Sequence, residues 1–353
     1  MPDYSFSERF LHKIVLGSNI VGQLSFDIEK FAGPTRLSES IFEHPVFISG
    51  LARAGTTIIM RAFNDTGQFR SLTYRDMPFV LMPGTWKKMS HFFHRHMDEK
   101  ERNHGDGIYV NYDSPEAFEE IFWMTFCAKE YVKNNQLSPH SVSKETIDQF
   151  KLFVHHVISS GEFPNQQRYL SKNNNNILRL GSIREAFLCA TIIVPFRSPL
   201  QHSFSLYQQH LRFCKQHSTN PFSSDYMRWL GHFEFGKNHK PFNFNGDDLS
   251  LSKFKSNDIN YWVAMWIDTY RYLLKSAPED AYFVSFESLC KSPDRVLRSL
   301  FNDSEITSNL QTIGDAIKPQ KKKDIKGASE SLTIEAEQLY QELLFRSEQL
   351  DSL

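Results

Sequence analysis

The stretch His44 to Thr57, HPVFISGLARAGTT, decides the fold. Pro45–Ser49 is a short apolar run closed by Gly50, the pattern of a strand buried on both faces. Thr56 to Asn64 has helical potential. Between them, Gly50-Leu51-Ala52-Arg53-Ala54-Gly55-Thr56-Thr57 sets two glycines in the G-x-x-x-x-G frame of a phosphate loop. In such a loop, backbone N–H groups and a helix N-terminus cradle an anion. The lysine that follows the second glycine in nucleoside triphosphatases is here Thr56, which counts against an ATPase or kinase. Arg53, inside the loop, offers a cation instead. A glycine-containing turn that binds nothing can carry the same local sequence, so the rest of the chain must arbitrate.

Further strands are predicted at FRSLTY (from Phe69), RYLSK (Arg168–Lys172), TIIVPF (Thr191–Phe196) and AYFVSFE (from Ala281). Helices are predicted around Ser182–Phe187, over Ser203–His217 and over Asn260–Ser276. Strands alternating with helices predict an α/β fold in which three layers, αβα, enclose a central parallel sheet. One domain spans residues 1–353. Residues 1–40 form a helical lead-in, and 82–165 and 206–255 read as insertions on the acceptor side. Met82 to Asp113 reads mainly as loop, Asp113-Ser114-Pro115-Glu116 as a helix start, and the last 60 or so residues as helical. Trp262, Trp266, Tyr270 and Phe254, at helical spacing, read as core.

Composition narrows the function. Lys plus Arg number 40 against 41 Asp plus Glu, which argues against a nucleic-acid or anionic-membrane surface. A pocket for a small anion needs only a few cations and is compatible with that balance. Cys127, Cys189, Cys214 and Cys290 lie far apart without a CxxC pair, as reduced thiols in a cytoplasmic protein do. The N-terminal segment lacks the apolar core of a signal peptide, and no apolar run nears the roughly 20 residues of a membrane span. His91, His94, His96 and His104 have no zinc-site spacing, and no metal is expected.

Gly50–Thr57 resembles the 5′-phosphosulfate loop of sulfotransferases that use PAPS (3′-phosphoadenosine 5′-phosphosulfate). The resemblance, closest to bacterial members, implies a P-loop NTPase-like sulfotransferase fold with helical insertions. It puts Arg53 at the loop cation and Ala54, Gly55, Thr56 and Thr57 around the phosphosulfate. Ala52 and Ala54 depart from the family's usual proline and serine. In TIIVPFRSPLQHSFS, Arg197 and Ser205 fall on the family's 3′-phosphate pair, with Ser203 a near alternative. A forked guanidinium with a hydroxyl suits a terminal phosphate.

In RYLSKNNNNILRL, Lys172 falls on the family's lysine near the transferring group. Asn174 stands where the cytosolic branch has its catalytic histidine, and asparagine cannot take a proton. Asp76 lies where tyrosylprotein and glycan sulfotransferases place a catalytic glutamate, and is the expected base, ahead of Asp106 and Asp113. AYFVSFESLCKSPDRVLRSL resembles the family's late strand and helix, with Glu287 structural. Lys321, Lys322, Lys323 and Gly327 resemble its basic loop over the 3′-phosphate, although a charge run is more often a solvated face.

What the resemblance implies is sulfuryl transfer from PAPS to a hydroxyl or amine of a small-molecule, glycan or lipid acceptor, leaving PAP, with no metal required. Oligomeric state is open. Two rivals stand beside it: a P-loop kinase-like phosphotransferase that needs Mg²⁺, and a non-catalytic PAP-binding module.

Overall fold

A computed structural model describes residues 4–34, 44–90, 100–101, 109–110, 114–162, 167–244, 250–301 and 323–350. The lead-in forms two helices, α1 (Phe6–Leu16) and α2 (Asn19–Ala32), the first closed by a capping box between Ser5 and Glu8. Then come β1 (Val46–Ile48), α3 (Thr56–Asn64) and β2 (Phe69–Arg70). Between β2 and the next strand of the main sheet lie α4 (Pro83–Ser90), an antiparallel pair β3 (Lys100–Glu101) and β4 (Tyr109–Val110), α5 (Glu120–Tyr131) and α6 (Lys144–Ser159). The chain continues through β5 (Arg168–Lys172), α7 (Leu180–Ala186), β6 (Thr191–Phe196), α8 (Pro199–Thr219), α9 (Pro221–Trp229) and α10 (Ile259–Ser276). It ends with β7 (Tyr282–Ser285), α11 (Phe286–Lys291), α12 (Pro293–Phe301) and α13 (Glu330–Leu350).

The main sheet has the order β2-β5-β1-β6-β7, every pairing parallel. Alternate residues of β1 face opposite layers. Val46 and Ile48 pack with Ile59, Met60 and Phe63 of α3 and with Leu297 and Phe301 of α12. Phe47 lies in the other core, with Phe150 of α6 and with Trp262, Trp266 and Tyr270 of α10, all three wholly buried. This is the αβα sandwich that the alternating strands and helices predict. Among the described residues no helix is long and apolar enough to cross a membrane.

Three segments differ from the sequence reading. The strand predicted over FRSLTY stops at Arg70, and Tyr74–Asp76 forms a 3-10 turn capped by Thr73. Pro83–Ser90 is a helix where loop was expected: the Gly84 and Thr85 N–H groups donate to the buried Glu29 carboxylate at 2.8 and 2.9 Å. That cap comes from α2, so local sequence does not announce it. The helix expected near Asp113 begins instead at Glu120. Pro115 bridges Thr73, and the Glu116 N–H donates to the Leu72 carbonyl, which holds this segment beside β2 rather than in a helical turn.

A central β1 decides where function can sit. The register sets Ile48 level with Lys172 on one side and Ile193 on the other. The loop after β1 therefore emerges between the C-terminal ends of β5 and β6, where Lys172 and Arg197 stand.

Candidate active site

The loop turns tightly. The Ala54 N–H donates to the Leu51 carbonyl at 3.2 Å, and Arg53 adopts φ +70°, a left-handed conformation that costs a residue with a Cβ roughly 1–2 kcal/mol. Gly55 follows at φ +98° as the N-cap of α3, where an added Cβ would stand 2.7 Å from the Phe286 ring. Only glycine fits that angle and that space. Thr56 and Thr57 open α3 and are buried. The first N–H groups of any helix lack an internal partner, and its N-terminus carries partial positive charge, so this corner suits an anion.

Three elements bring cations and hydroxyls to it. Arg53 donates from Nε to the Ser205 hydroxyl at 3.4 Å, joining the loop to α8. Ser203, the alternative, turns inward and donates to the Trp262 carbonyl. Arg197, just past β6, is buried with its guanidinium 5.1 Å from the Phe286 ring centre. Burial pulls its pKa down, Glu287 pulls it back, and the like charge of Arg53 lowers it again. Glu287 itself accepts from the Ser198 N–H and the Tyr340 hydroxyl, a structural placement. His202, wholly buried, bonds through Nε2 to the Ala52 carbonyl at 2.8 Å, so that nitrogen carries the proton. Burial drives its pKa to about 3, with Arg197 and Arg53 adding to the fall. It is a neutral strut under the loop.

Lys323 and Gly327 lie on a segment that crosses the starts of α8 and α10. Lys323 exchanges two backbone hydrogen bonds with the Gln201 side chain, and its Nζ lies 5.2 Å from the Phe204 ring centre. Gly327, at φ +87°, accepts from Asn260. Lys321, Lys322, Asp106, Asp113 and the four spaced histidines lie outside the described residues.

On the other side of β1, Lys172 Nζ stands 3.8 Å from a Glu116 carboxylate oxygen. Asp76 closes the turn after β2. Its carboxylate accepts from Arg70 at 2.6 Å and from the Thr73 N–H at 2.7 Å and hydroxyl at 3.3 Å. The four asparagines after Lys172 are all tied down. Asn173 and Asn176 donate to Glu119, Asn173 also to Glu120, Asn174 to Glu234 at 2.9 Å and Asn175 to the Gly231 carbonyl at 2.9 Å. Glu120 further accepts from both terminal nitrogens of Arg179, at 2.9 and 3.2 Å, and from Tyr131. Burial pushes Glu120 up, but the Arg179 charge and these hydrogen bonds outweigh it and leave the group below its ordinary value. Sequence reading singled out neither Glu116 nor Glu234, which the structure sets against Lys172 and Asn174. Glu116 was visible only as a supposed helix start, and nothing local marks Glu234.

The sequence model of the Sulfotransferase family matches residues 45–307, about three quarters of the chain. The chain belongs to the sulfotransferase family. The crystal structure of sulfotransferase STF9 from Mycobacterium avium shares the fold, at TM-score 0.53 and 13% identity, over 98% of this chain and 87% of that one. More distant are sulfotransferase STF1 from Mycobacterium tuberculosis H37Rv (TM-score 0.44, 12% identity, 86% of this chain and 80% of that one) and a sulfotransferase from Alicyclobacillus acidocaldarius (TM-score 0.40, 12% identity, 88% and 96%). No curated protein sequence matches the chain. As a sulfotransferase it places its glycine loop at the C-terminal edge of a parallel sheet, where α/β folds bind ligands.

Proposed function

We propose that this sulfotransferase takes its sulfuryl group from PAPS and passes it to an acceptor hydroxyl or amine, releasing PAP. The meeting of Arg53, Arg197 and Ser205 at the loop carries the reading. Burial and the nearby like charge of Arg53 lower the pKa of Arg197, and such a site suits a multiply charged anion. Its cradle accepts no side chain at Gly55. The residues fit the donor. In this reading Arg197 and Ser205 hold the 3′-phosphate, Ala54, Gly55, Thr56 and Thr57 with Arg53 hold the phosphosulfate, and the segment with Lys323 and Gly327 covers the 3′-phosphate.

When bound, PAPS supplies an activated sulfuryl group on a phosphate leaving group. The chain's residues stabilise the charge that develops as that bond breaks: Arg53 and the helix amides from one side, Lys172 from the other. Arg53 is fixed by the turn of the loop, and Lys172 by its register with Ile48. Nothing in these roles calls for a metal. Asp76, expected as the base, has its oxygens engaged by Arg70 and Thr73, and in this reading it holds the turn after β2. The four free cysteines suit a reducing cytoplasm.

The test is a transfer assay. Purified protein, PAPS and a panel of hydroxyl and amine acceptors are incubated without Mg²⁺, and PAP release and product mass are followed. PAP formation that depends on both an acceptor and Arg53 supports the proposal. PAP binding without turnover would leave a binding module, and Mg²⁺-dependent ATP turnover would favour the phosphotransferase.

A further inference from the structure

Twelve large apolar side chains stand exposed among the described residues, and seven of them belong to α1 and α2. The other five are scattered, as surface apolar residues commonly are. The seven are not. Phe6, Phe10 and Ile14 recur at every fourth residue of α1, and Ile20, Leu24, Ile28 and Phe31 repeat that spacing along α2. Such a period draws one stripe down each helix. The two helices pack on each other, which brings the stripes together on one region of the surface.

The opposite faces are already taken. Val15 and Phe26 are buried, and Phe26 meets Phe122 and Phe126 of α5 edge-on at 6.2 and 5.2 Å. Gly22 lets α2 close on α5, since an added Cβ would stand 2.9 Å from Thr125 Oγ1. Glu29, also on this face, caps α4. The pair is thus docked on the body and cannot turn its stripes inward without giving up that packing.

Area and charge say what covers the stripes. Each of the seven side chains exposes between 43% and 87% of its surface. Together that is on the order of 800 Å², the share one partner brings to a standard protein interface. The charges beside the stripes have both signs: Lys13 precedes Ile14 on α1, Asp27 precedes Ile28 on α2, and both are exposed. An anionic lipid surface calls for a basic rim. A mixed rim suits a face that meets itself, because a twofold axis can set Lys13 of one chain toward Asp27 of the other.

We infer that α1 and α2 form the interface of a twofold homodimer, with α1 of each chain lying on α2 of the other. The opposite arrangement, α1 on α1, would bring Lys13 against its own copy. This inference is independent of the donor site.

The experiment follows the full chain by sedimentation at micromolar concentration, beside flotation with vesicles of phosphatidylcholine and phosphatidylglycerol. The wild-type chain sediments at twice the mass of one chain and does not float. Leu24→Glu, in the middle of the α2 stripe, weakens the dimer about 100-fold or more and keeps the far-UV circular dichroism of the wild type. Leu188→Glu, at an exposed apolar residue outside the pair, leaves the dimer intact. Lys13→Glu weakens the dimer about 10-fold, and adding Asp27→Lys restores it. A monomeric wild-type chain, or a dimer that Leu24→Glu leaves intact, would overturn the inference. Vesicle binding that Leu24→Glu abolishes would overturn it in favour of a lipid surface. Failure of the double charge reversal to restore the dimer would overturn the pairing of α1 with α2.

Discussion

Two buried charged clusters follow the C-terminal ends of the two strands that flank β1, and they are built on opposite rules. After β5, Glu119, Glu120, Arg179 and the asparagines form a network in which opposite charges meet and amides fill the remaining lone pairs. After β6, Arg197 meets the like charge of Arg53 and the opposite charge of Glu287. A cluster whose opposite charges pair with one another serves the fold. A like-charged pair at a glycine loop is what the proposed anionic donor would complement. Counting buried charge would rank the two together; only the sign and the partners separate them.

The largest effect is expected at the cluster of opposite charges. Arg179→Met leaves Glu120 buried without its counter-charge and should cost about 3–5 kcal/mol in chemical denaturation. A loss near zero would show that the network is not what holds this end of β5. The mirror-image substitution, Arg53→Ala, should leave Tm at or slightly above wild type, because it removes repulsion from Arg197. PAPS turnover should fall about 100-fold or more. A Tm that drops as far as that of Arg179→Met would erase the distinction between the clusters.

Asp76→Asn sharpens the boundary between the two kinds of site. It weakens the bond to Arg70 and should lower stability by about 1–3 kcal/mol, with the folded enzyme's turnover nearly unchanged. Unchanged stability with abolished turnover would return the role of base to Asp76.

The smallest effect is a pH dependence at His202. Its folded pKa of about 3 lies below the ordinary value of 6.5. The unfolded chain therefore binds this proton first, and stability falls as pH drops below about 6.5, by about 1.4 kcal/mol per unit until about 3. Above 6.5 this group contributes no slope. Denaturation midpoints at pH 7.5, 6.5 and 5.5 (wild type beside His202→Gln) should diverge only at the lowest pH.

The strands were legible because parallel strands covered on both faces are continuous apolar runs, as in TIIVPF. The loop was legible because two glycines and a cation occupy adjacent positions in one segment. What stayed hidden was assembled across the chain. Glu29 caps a helix that begins more than fifty residues later, and no local signal in PGTWKKMS reveals it. The asparagine run reads locally as a turn, yet each amide nitrogen donates to a partner at Glu119, Glu120, Gly231 or Glu234. Asp76 looked available because its partner Arg70 lies on the strand before it, and only the bend after β2 turns the two together.

The most direct test of the central contrast is calorimetry of PAP against ADP, both without Mg²⁺. The two ligands differ chiefly in whether the second phosphate sits on the ribose 3′ position or at the end of the 5′ chain. If Arg53, Arg197 and Ser205 form a donor site, PAP should bind about 100-fold tighter than ADP, and Arg197→Ala should remove most of that difference. Equal affinities, or a preference for ADP that Mg²⁺ strengthens, would contradict the account.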